Sequence, residues 1–448
     1  MTTIYSARWV LPMIGPPIQD GAVAVEETRI VGVGVRKSLE ERFAAAGLVD
    51  CGEAAIIPGL VNSHSHLELT AMRGFLENEE PDFFAWLRKL TLARLERMSP
   101  DDIHTSALWG ACEAARAGIT CVGDASDSAV TSMRAVREVG LRGIVFQESF
   151  GPDPRLVQEN VEKLKDKVAE LRALETRLVR AGVSPHSPYT VCGTQLEAIA
   201  DFAAADDLPL MMHAAESAAE ERFVREGQGI FAEGLARRGI ASTPKGVSPM
   251  QYLKQVGILD VQPVLAHCIR VDDQDIQVMA ESGVKIAHCP KSNAKLRHGR
   301  APLRKFVKAG IAVGLGSDSV ASNNTCDLIE EARFAGLLSR LDGCNEDALT
   351  PDGLLELATG GGAKALGLDG QVGKLGEGFE ADLTVVSLAG VHQIPVFDPV
   401  SALLFASSGR DVVLTVVAGR EVFRAGRVVN VDEEGLLRRM EEVVGKLR

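Results

Sequence analysis

His64 and His66 stand two residues apart at the end of the short apolar run Gly59–Asn62. Alternate residues of an extended chain point the same way, so their imidazoles can face one metal ion. Alone, such a pair is as often two half-buried polar side chains. Its neighbours in sequence pattern change the balance. Of nine histidines, His64, His66, His186, His213, His267 and His288 fall at or just beyond the carboxyl ends of predicted strands, and Asp318 holds the same place after the eighth. Three imidazoles and one carboxylate, from His64, His66, His213 and Asp318, leave a coordination position open for water, which is a catalytic arrangement. One divalent ion is therefore expected, with Zn2+ first and Fe2+ next.

Positioning such distant residues needs a scaffold that brings many strand ends to one face. Between residues 58 and 369, short apolar runs alternate with amphipathic stretches of helical length, the pattern of βα repeats. The predicted strands are Gly59–Asn62, Ile119–Asp124, Gly143–Gln147, Gly182–Pro185, Pro209–Met212, Pro263–Ala266, Val284–Ala287 and Ile311–Gly316. Eight is the number that closes an α/β barrel of the (β/α)8 TIM type, whose sites lie at the carboxyl ends of the strands. Helices are predicted over Asp101–Ala117, opened by Ser99-Pro100, and over Pro154–Arg180. Glu77–Met98 is a longer insertion, rich in Phe and Trp, of the kind that forms a lid. Both ends of the chain are β-rich: Gly21–Val25, Ile30–Val35 and Ala55–Ile57 near the start, Ala381–Val386, Asp411–Val417 and Gly426–Val429 near the finish. Residues 1–57 and 370–448 are thus expected to build one small composite β-sandwich beside the barrel.

Composition narrows the function. Forty-eight basic and 61 acidic residues give a net charge of −13, which repels phosphate backbones and anionic lipid headgroups and excludes nucleic-acid and membrane-surface partners. No apolar run approaches the ~20 residues of a membrane span. The eight cysteines contain no C-x-x-C and read as reduced thiols of a cytoplasmic protein. A neutral small molecule is the expected partner, with homo-oligomers left open.

Five segments together resemble the amidohydrolase superfamily, in its cytosine-deaminase-like and chlorohydrolase-like branch: Pro58–His66, Met212–Glu216, Leu265–Cys268, His288–Asn293 and Gly316–Asn324. The resemblance runs in order through nearly the whole chain. It implies metal ligation by His64, His66, His213 and Asp318, catalytic roles for Glu216, His267 and Asp318, and substrate contacts from His186, His288 and Asn293. Binuclear members carry a carboxylated lysine at the end of the fourth strand; His186 stands there, so one metal is expected. The implied reaction is hydrolytic removal of ammonia from a heteroaromatic amine, with Asp318 taking a proton from water, His267 orienting it and Glu216 protonating a ring nitrogen. To act as an acid near pH 7, Glu216 needs a raised pKa, which a dry pocket supplies and a nearby cation opposes. His64–Thr70 and Ser184–Thr190 look most like aminodeoxyfutalosine deaminases, with S-adenosylhomocysteine and methylthioadenosine deaminases close, so the expected substrate is a 6-aminopurine nucleoside derivative. Guanine, pterin or pyrimidine deamination, dechlorination and a non-catalytic scaffold are the alternatives.

Weaker signals complete the sequence. Phe83, Phe84 and Trp86 suit stacking on a ring or sealing the insertion, and Trp86 is taken as a substrate contact. Arg73 is a second such contact, although anchoring its own helix suits it better. Cys268 and Cys289 adjoin site histidines as small apolar residues. His104, His298 and His392 receive no chemistry, and Gly360–Gly362 permits close helix packing.

Overall fold

The computed structural model describes residues 2–79, 82–341 and 349–448; Cys344 lies outside them. Five strands open the chain: β1 (Thr2–Val10), β2 (Ile18–Glu26), β3 (Arg29–Val35), β4 (Gly47–Asp50) and β5 (Ala54–Pro58). Eight follow with helices between them: β6 (Leu60–Ser65), β7 (Ile119–Ser126), β8 (Arg142–Ser149), β9 (Val179–Pro185), β10 (Met211–Ala214), β11 (Val264–His267), β12 (Lys285–His288) and β13 (Ala312–Leu315). Four more end it: β14 (Leu383–Ser387), β15 (Val412–Val417), β16 (Arg420–Arg424) and β17 (Arg427–Val428).

The middle eight are all parallel, in two runs, β6-β7-β8-β9 and β10-β11-β12-β13. Single bridges join the runs at both seams, Val183 to Leu210 and Ser65 to Asp318. The ring is therefore closed, an α/β barrel. Inward-facing Val61, Cys121, Ile144, Phe146, Met211, Val264 and Ala287 fill it, and Ala363, Leu366 and Leu368 plug its base. Gly361 and Gly362 permit that plug, because a Cβ on either would lie 2.4 Å from the Val313 carbonyl oxygen or 2.6 Å from that of Val61.

Strands from both termini join one nine-stranded sheet, ordered β17-β16-β15-β14-β5-β1-β2-β3 with β4 on β1. The sheet curls so that Tyr5, Val23 and Ile30 from one half share a core with Leu383, Val385 and Leu414 from the other. Arg142 at the start of β8 ties this sheet to the barrel. Its guanidinium donates to Asp382 at 2.8 and 3.1 Å and to Glu380 at 3.0 Å, all three buried.

Five helices matter below: α1 (Phe83–Arg97), α2 (Pro100–Arg116), α3 (Val157–Arg172), α4 (Pro290–Lys295) and α5 (Glu433–Leu447). Helix α2 opens as expected, with Ser99 and Asp102 exchanging side chain-to-backbone hydrogen bonds and Pro100 in the first turn. Helix α3 stops at Arg172, short of the expected Arg180. The Thr176 hydroxyl accepts from Leu178 and Val179 N–H, and the Glu175 carboxylate from Ala181 N–H, turning the chain into β9. Residues 370–448 end in α5 and not in a strand; Met440, Val443 and Leu447 pack into a cluster with Trp86 and Leu90 of α1. Among the described residues no helix is long and apolar enough to cross a membrane.

Candidate metal centre and active site

His64 is the last residue but one of β6, with His66 just beyond the strand, His213 lies on β10, and Asp318 follows β13 across the seam. Their ligand atoms all lie within 4.8 Å of one another, and all four residues are buried. His66 Nε2 is 3.1 Å from His213 Nε2, and Asp318 Oδ1 is 3.5 Å from His64 Nε2 and 3.6 Å from His66 Nε2. The approach of β13 to β6 depends on Gly316, where a Cβ would sit 2.8 Å from Cys289 Sγ and 2.9 Å from His64 Cβ.

Three observations test whether these residues fit a cation. His64 Nε2 is buried without a hydrogen-bond partner. His213 Nδ1 donates to the His186 carbonyl at 2.9 Å, which leaves Nε2 as a lone pair facing the cluster. Asp318 Oδ2 accepts from Ser292 at 2.5 Å and Ser322 at 3.0 Å, so Oδ1 is the oxygen turned to the histidines. Burial, foremost among the causes, brings the pKa of His64, His66 and His213 down to about 4, so all three are neutral ligands at pH 7. Burial opposes ionisation of Asp318, yet the surrounding His64, His267 and His66 rings hold it well below the usual carboxylate range. The residues fit a divalent ion.

Beside the cluster lies a cleft of about 450 Å3. Helix α1 supplies its apolar wall with Phe83, Trp86, Leu87 and Leu90, so the insertion roofs the site. Glu216, His267 and His186 line the opposite side. Glu216 Oε1 is 3.7 Å from His267 Nε2 and 3.4 Å from His298 Nε2. Burial alone would raise the Glu216 carboxyl, but His267, His298 and His213 outweigh it and bring its pKa to about 2. The raised value that an acid near pH 7 needs is not supplied here, because His267, His298 and His213 face this carboxylate. His267 Nδ1 donates to Asn293 Oδ1 at 2.8 Å, which turns Nε2 toward Glu216. Ala215, His267, Cys268 and Asp318 all hold left-handed backbone, with φ of 50°, 73°, 48° and 55°. Non-glycine residues pay for that conformation only where surrounding structure imposes it, as functional rims do.

Three expected substrate contacts lie elsewhere. Arg73 pairs with Glu113 on the outer side of the barrel, away from the cleft, and so takes the anchoring role. Asn293 does not line the cleft; its Oδ1 accepts from His267 Nδ1 at 2.8 Å. His288 is buried at the end of β12, its Nδ1 without a partner, and also stays out of the cleft. Trp86 and His186 do line it.

The structure adds residues that the sequence did not single out. His298 is buried between Glu216 and Phe83, whose ring it meets edge-on with centroids 4.5 Å apart. Left-handed Arg297 before it, and a hydrogen bond from its own N–H to the Asn293 carbonyl at 2.9 Å, aim the ring inward. A basic loop gives no sequence signal for that. Glu68, Arg94, Asp127 and Glu148 form a polar end of the cleft. Glu68 accepts from Ser126 at 2.8 Å and Ser128 N–H at 3.1 Å, and Arg94 donates to Asp127 at 2.8 Å.

A closed parallel barrel with three imidazoles and a carboxylate at its carboxyl mouth defines a metal-dependent barrel hydrolase. The chain belongs to the amidohydrolase family, whose sequence profile matches residues 55–422; it is a hydrolase acting on carbon–nitrogen bonds. It is 32% identical over 430 residues to a 5-methylthioadenosine/S-adenosylhomocysteine deaminase of Pelotomaculum thermopropionicum, covering 96% of this chain and 94% of that one. Among solved structures it matches an adenosine deaminase of Xanthomonas campestris with bound zinc, at a TM-score of 0.88 and 27% identity over 100% of this chain and 98% of the other. It also matches the atrazine chlorohydrolase of Arthrobacter aurescens complexed with zinc, at 0.84 and 26% over 99% and 100%.

Proposed function

We propose that this protein is a zinc-dependent cytoplasmic aminohydrolase that removes ammonia from the 6-amino position of a purine nucleoside derivative. The convergence of Glu216, His267 and Asp318 on one cleft beside the four-ligand cluster carries the proposal. The deaminases among its relatives support the reaction, and zinc in the two structural neighbours supports the metal. When bound, a divalent ion supplies Lewis acidity that lowers the pKa of water from ~15.7 toward ~7.

The chain's own groups then divide the work. The His267 ring, its Nδ1 occupied by Asn293, presents Nε2 to hold the attacking water in line with the ring carbon. Asp318 is a carboxylate at neutral pH and receives the proton that this water gives up. Glu216 also enters ionised, so it takes up a proton from solvent as the substrate binds and then delivers it through Oε1 to the ring nitrogen next to the amino-bearing carbon. That protonation makes the carbon electrophilic. Once the water oxygen has bonded to it, Asp318 passes its proton to the amine, the carbon–nitrogen bond breaks to release ammonia, and the new hydroxyl gives its proton back through Glu216 as it becomes a carbonyl. Phe83, Trp86 and Leu90 shield the ring from water. The deaminases among its relatives favour deamination over dechlorination.

Ammonia release is measured across adenosine derivatives, guanine, pterins and cytosine with zinc-loaded protein, alongside metal content. Turnover of 6-aminopurine nucleosides with one zinc per chain is expected. Ammonia from none of these compounds would end the proposal.

A further inference from the structure

Glu216 projects from a turn that the chain would not adopt by its own preference: Ala215, the residue before it, has φ of 50°, left-handed backbone that only surrounding structure imposes on an alanine. The peptide joining the two is held at both of its polar groups. Its carbonyl, on Ala215, accepts from Ile269 and Arg270 N–H, both at 2.8 Å, in the loop that follows His267. Its N–H, on Glu216, donates to Glu220 Oε2 at 2.8 Å, and the N–H of Ala215 donates to Glu220 Oε1 at 2.7 Å. One carboxyl group therefore spans two consecutive N–H groups.

Glu220 stands in the first turn of the helix Ala218–Glu226, its own N–H on the Ser217 hydroxyl at 3.2 Å. It is fully buried beside Glu216 and Glu221, and burial pushes its pKa up to about 8 against the pull of the two N–H donors. A buried acid among acids is costly to keep, and its two oxygens accept hydrogen bonds whether the group is ionised or neutral. Glu220 does not line the cleft, so it reaches the reaction only through the backbone. Glu216 Oε1, 3.4 Å from His298 and 3.7 Å from His267, moves with that backbone.

We infer that Glu220 is the positioning residue for Glu216: it clamps the turn from which the proton-carrying carboxyl group projects and so fixes where Oε1 meets the substrate ring. The inference rests on the aminohydrolase reading above. Its test uses the zinc-loaded full chain carrying Glu220→Gln, which keeps the shape but replaces one acceptor oxygen by a nitrogen that cannot accept, so one of the two N–H groups loses its partner. On the 6-aminopurine nucleoside that the wild type turns over fastest, kcat is expected to fall about ten- to a hundredfold, the cost of a misplaced catalytic group, with KM and zinc content little changed. In a Glu216→Gln background the same substitution is expected to cost no more than about twofold further, because a residue that acts through Glu216 then has nothing left to position. Hydrogen exchange followed by mass spectrometry reads the clamp with no substrate present. The amides of residues 214–217 are expected to exchange slowly in the wild type and at least about tenfold faster in Glu220→Gln. A lowered Tm with unchanged kcat would make Glu220 a packing residue, and losses that multiply in full across the two backgrounds would show that it does not act through Glu216. Fast exchange of these amides in the wild type would show that no clamp exists. Each of these three results overturns the role of Glu220 while leaving the reaction standing. A wild type that releases no ammonia from any 6-aminopurine nucleoside overturns the reaction instead, and with it the role in proton transfer, while exchange still reads the clamp.

Discussion

The barrel mouth and the barrel's junction with the terminal sheet both bury charge, and they treat it in opposite ways. At the junction, Arg142, Asp382 and Glu380 satisfy one another, and Asp382 also accepts from Ala418 N–H at 2.7 Å. At the mouth, His64 Nε2, Trp86 Nε1 and Glu148 Oε1 have no partner, and four non-glycine residues hold left-handed backbone. Strand β8 carries both treatments, Arg142 at its first residue and Glu148 at its last but one. One end of the strand serves stability and the other stays incomplete until something binds, which is the division expected of a barrel enzyme.

The largest effect should appear in the metal-free protein as pH falls. His64, His66 and His213 titrate near 6.5 when unfolded and near 4 when folded. The unfolded chain therefore binds protons that the fold refuses, so their contribution is complete above pH 6.5 and is lost as pH falls toward 4. Calorimetry should show Tm dropping through that window and zinc opposing the drop at its upper end; a flat Tm would show that the mouth carries no such debt. Arg142 stays protonated throughout and adds nothing to this slope.

Next in size, Glu216→Gln should keep its zinc and lose about 10²–10⁴ in kcat on an aminopurine nucleoside, read by ammonia release and metal analysis. Unaltered kcat would remove Glu216 from proton transfer. At the junction, Arg142→Met leaves Asp382 buried without its cation while Glu380 keeps Arg29 and Arg177, and should cost about 3–5 kcal/mol of stability while zinc content and kcat/KM of the folded fraction stay put. Loss of zinc in this variant would mean that the two ends of β8 are not separable. The smallest change is His298→Asn, which removes the ring 3.4 Å from Glu216 and against Phe83: kcat should fall by about tenfold or less, the worth of one charged contact, with KM little changed and the acidic limb of the pH–kcat profile displaced. A rise in KM alone would make His298 a packing residue.

Sequence pattern revealed the barrel more fully than the terminal sheet, for a physical reason. Every barrel strand is a short apolar run between helices, and the ligands His64, His213 and Asp318 sit at or next to their carboxyl ends, where a one-dimensional pattern can find them. Strand β1 runs centrally between β2 and β5, and Ile4–Ala7 is buried on both faces, so its sequence shows no alternation. The end of α3 carries neither Gly nor Pro, because Thr176 and Glu175 cap the turn with side chains. His298 and Glu148 became visible only in three dimensions. Their significance lies in what stands opposite them, and residues about 80 positions apart, such as Glu216 and His298, leave no local trace.

The seam at Ser65 and Asp318 also sets an order of events during synthesis. The first pair of ligands leaves the ribosome about 250 residues before the last one, an interval on the order of ten to fifty seconds at ordinary elongation rates. Until the eighth strand docks against the first, the nascent chain offers at most three of the four clustered ligands and lacks their one carboxylate, so metal capture and ring closure mature together as a late step.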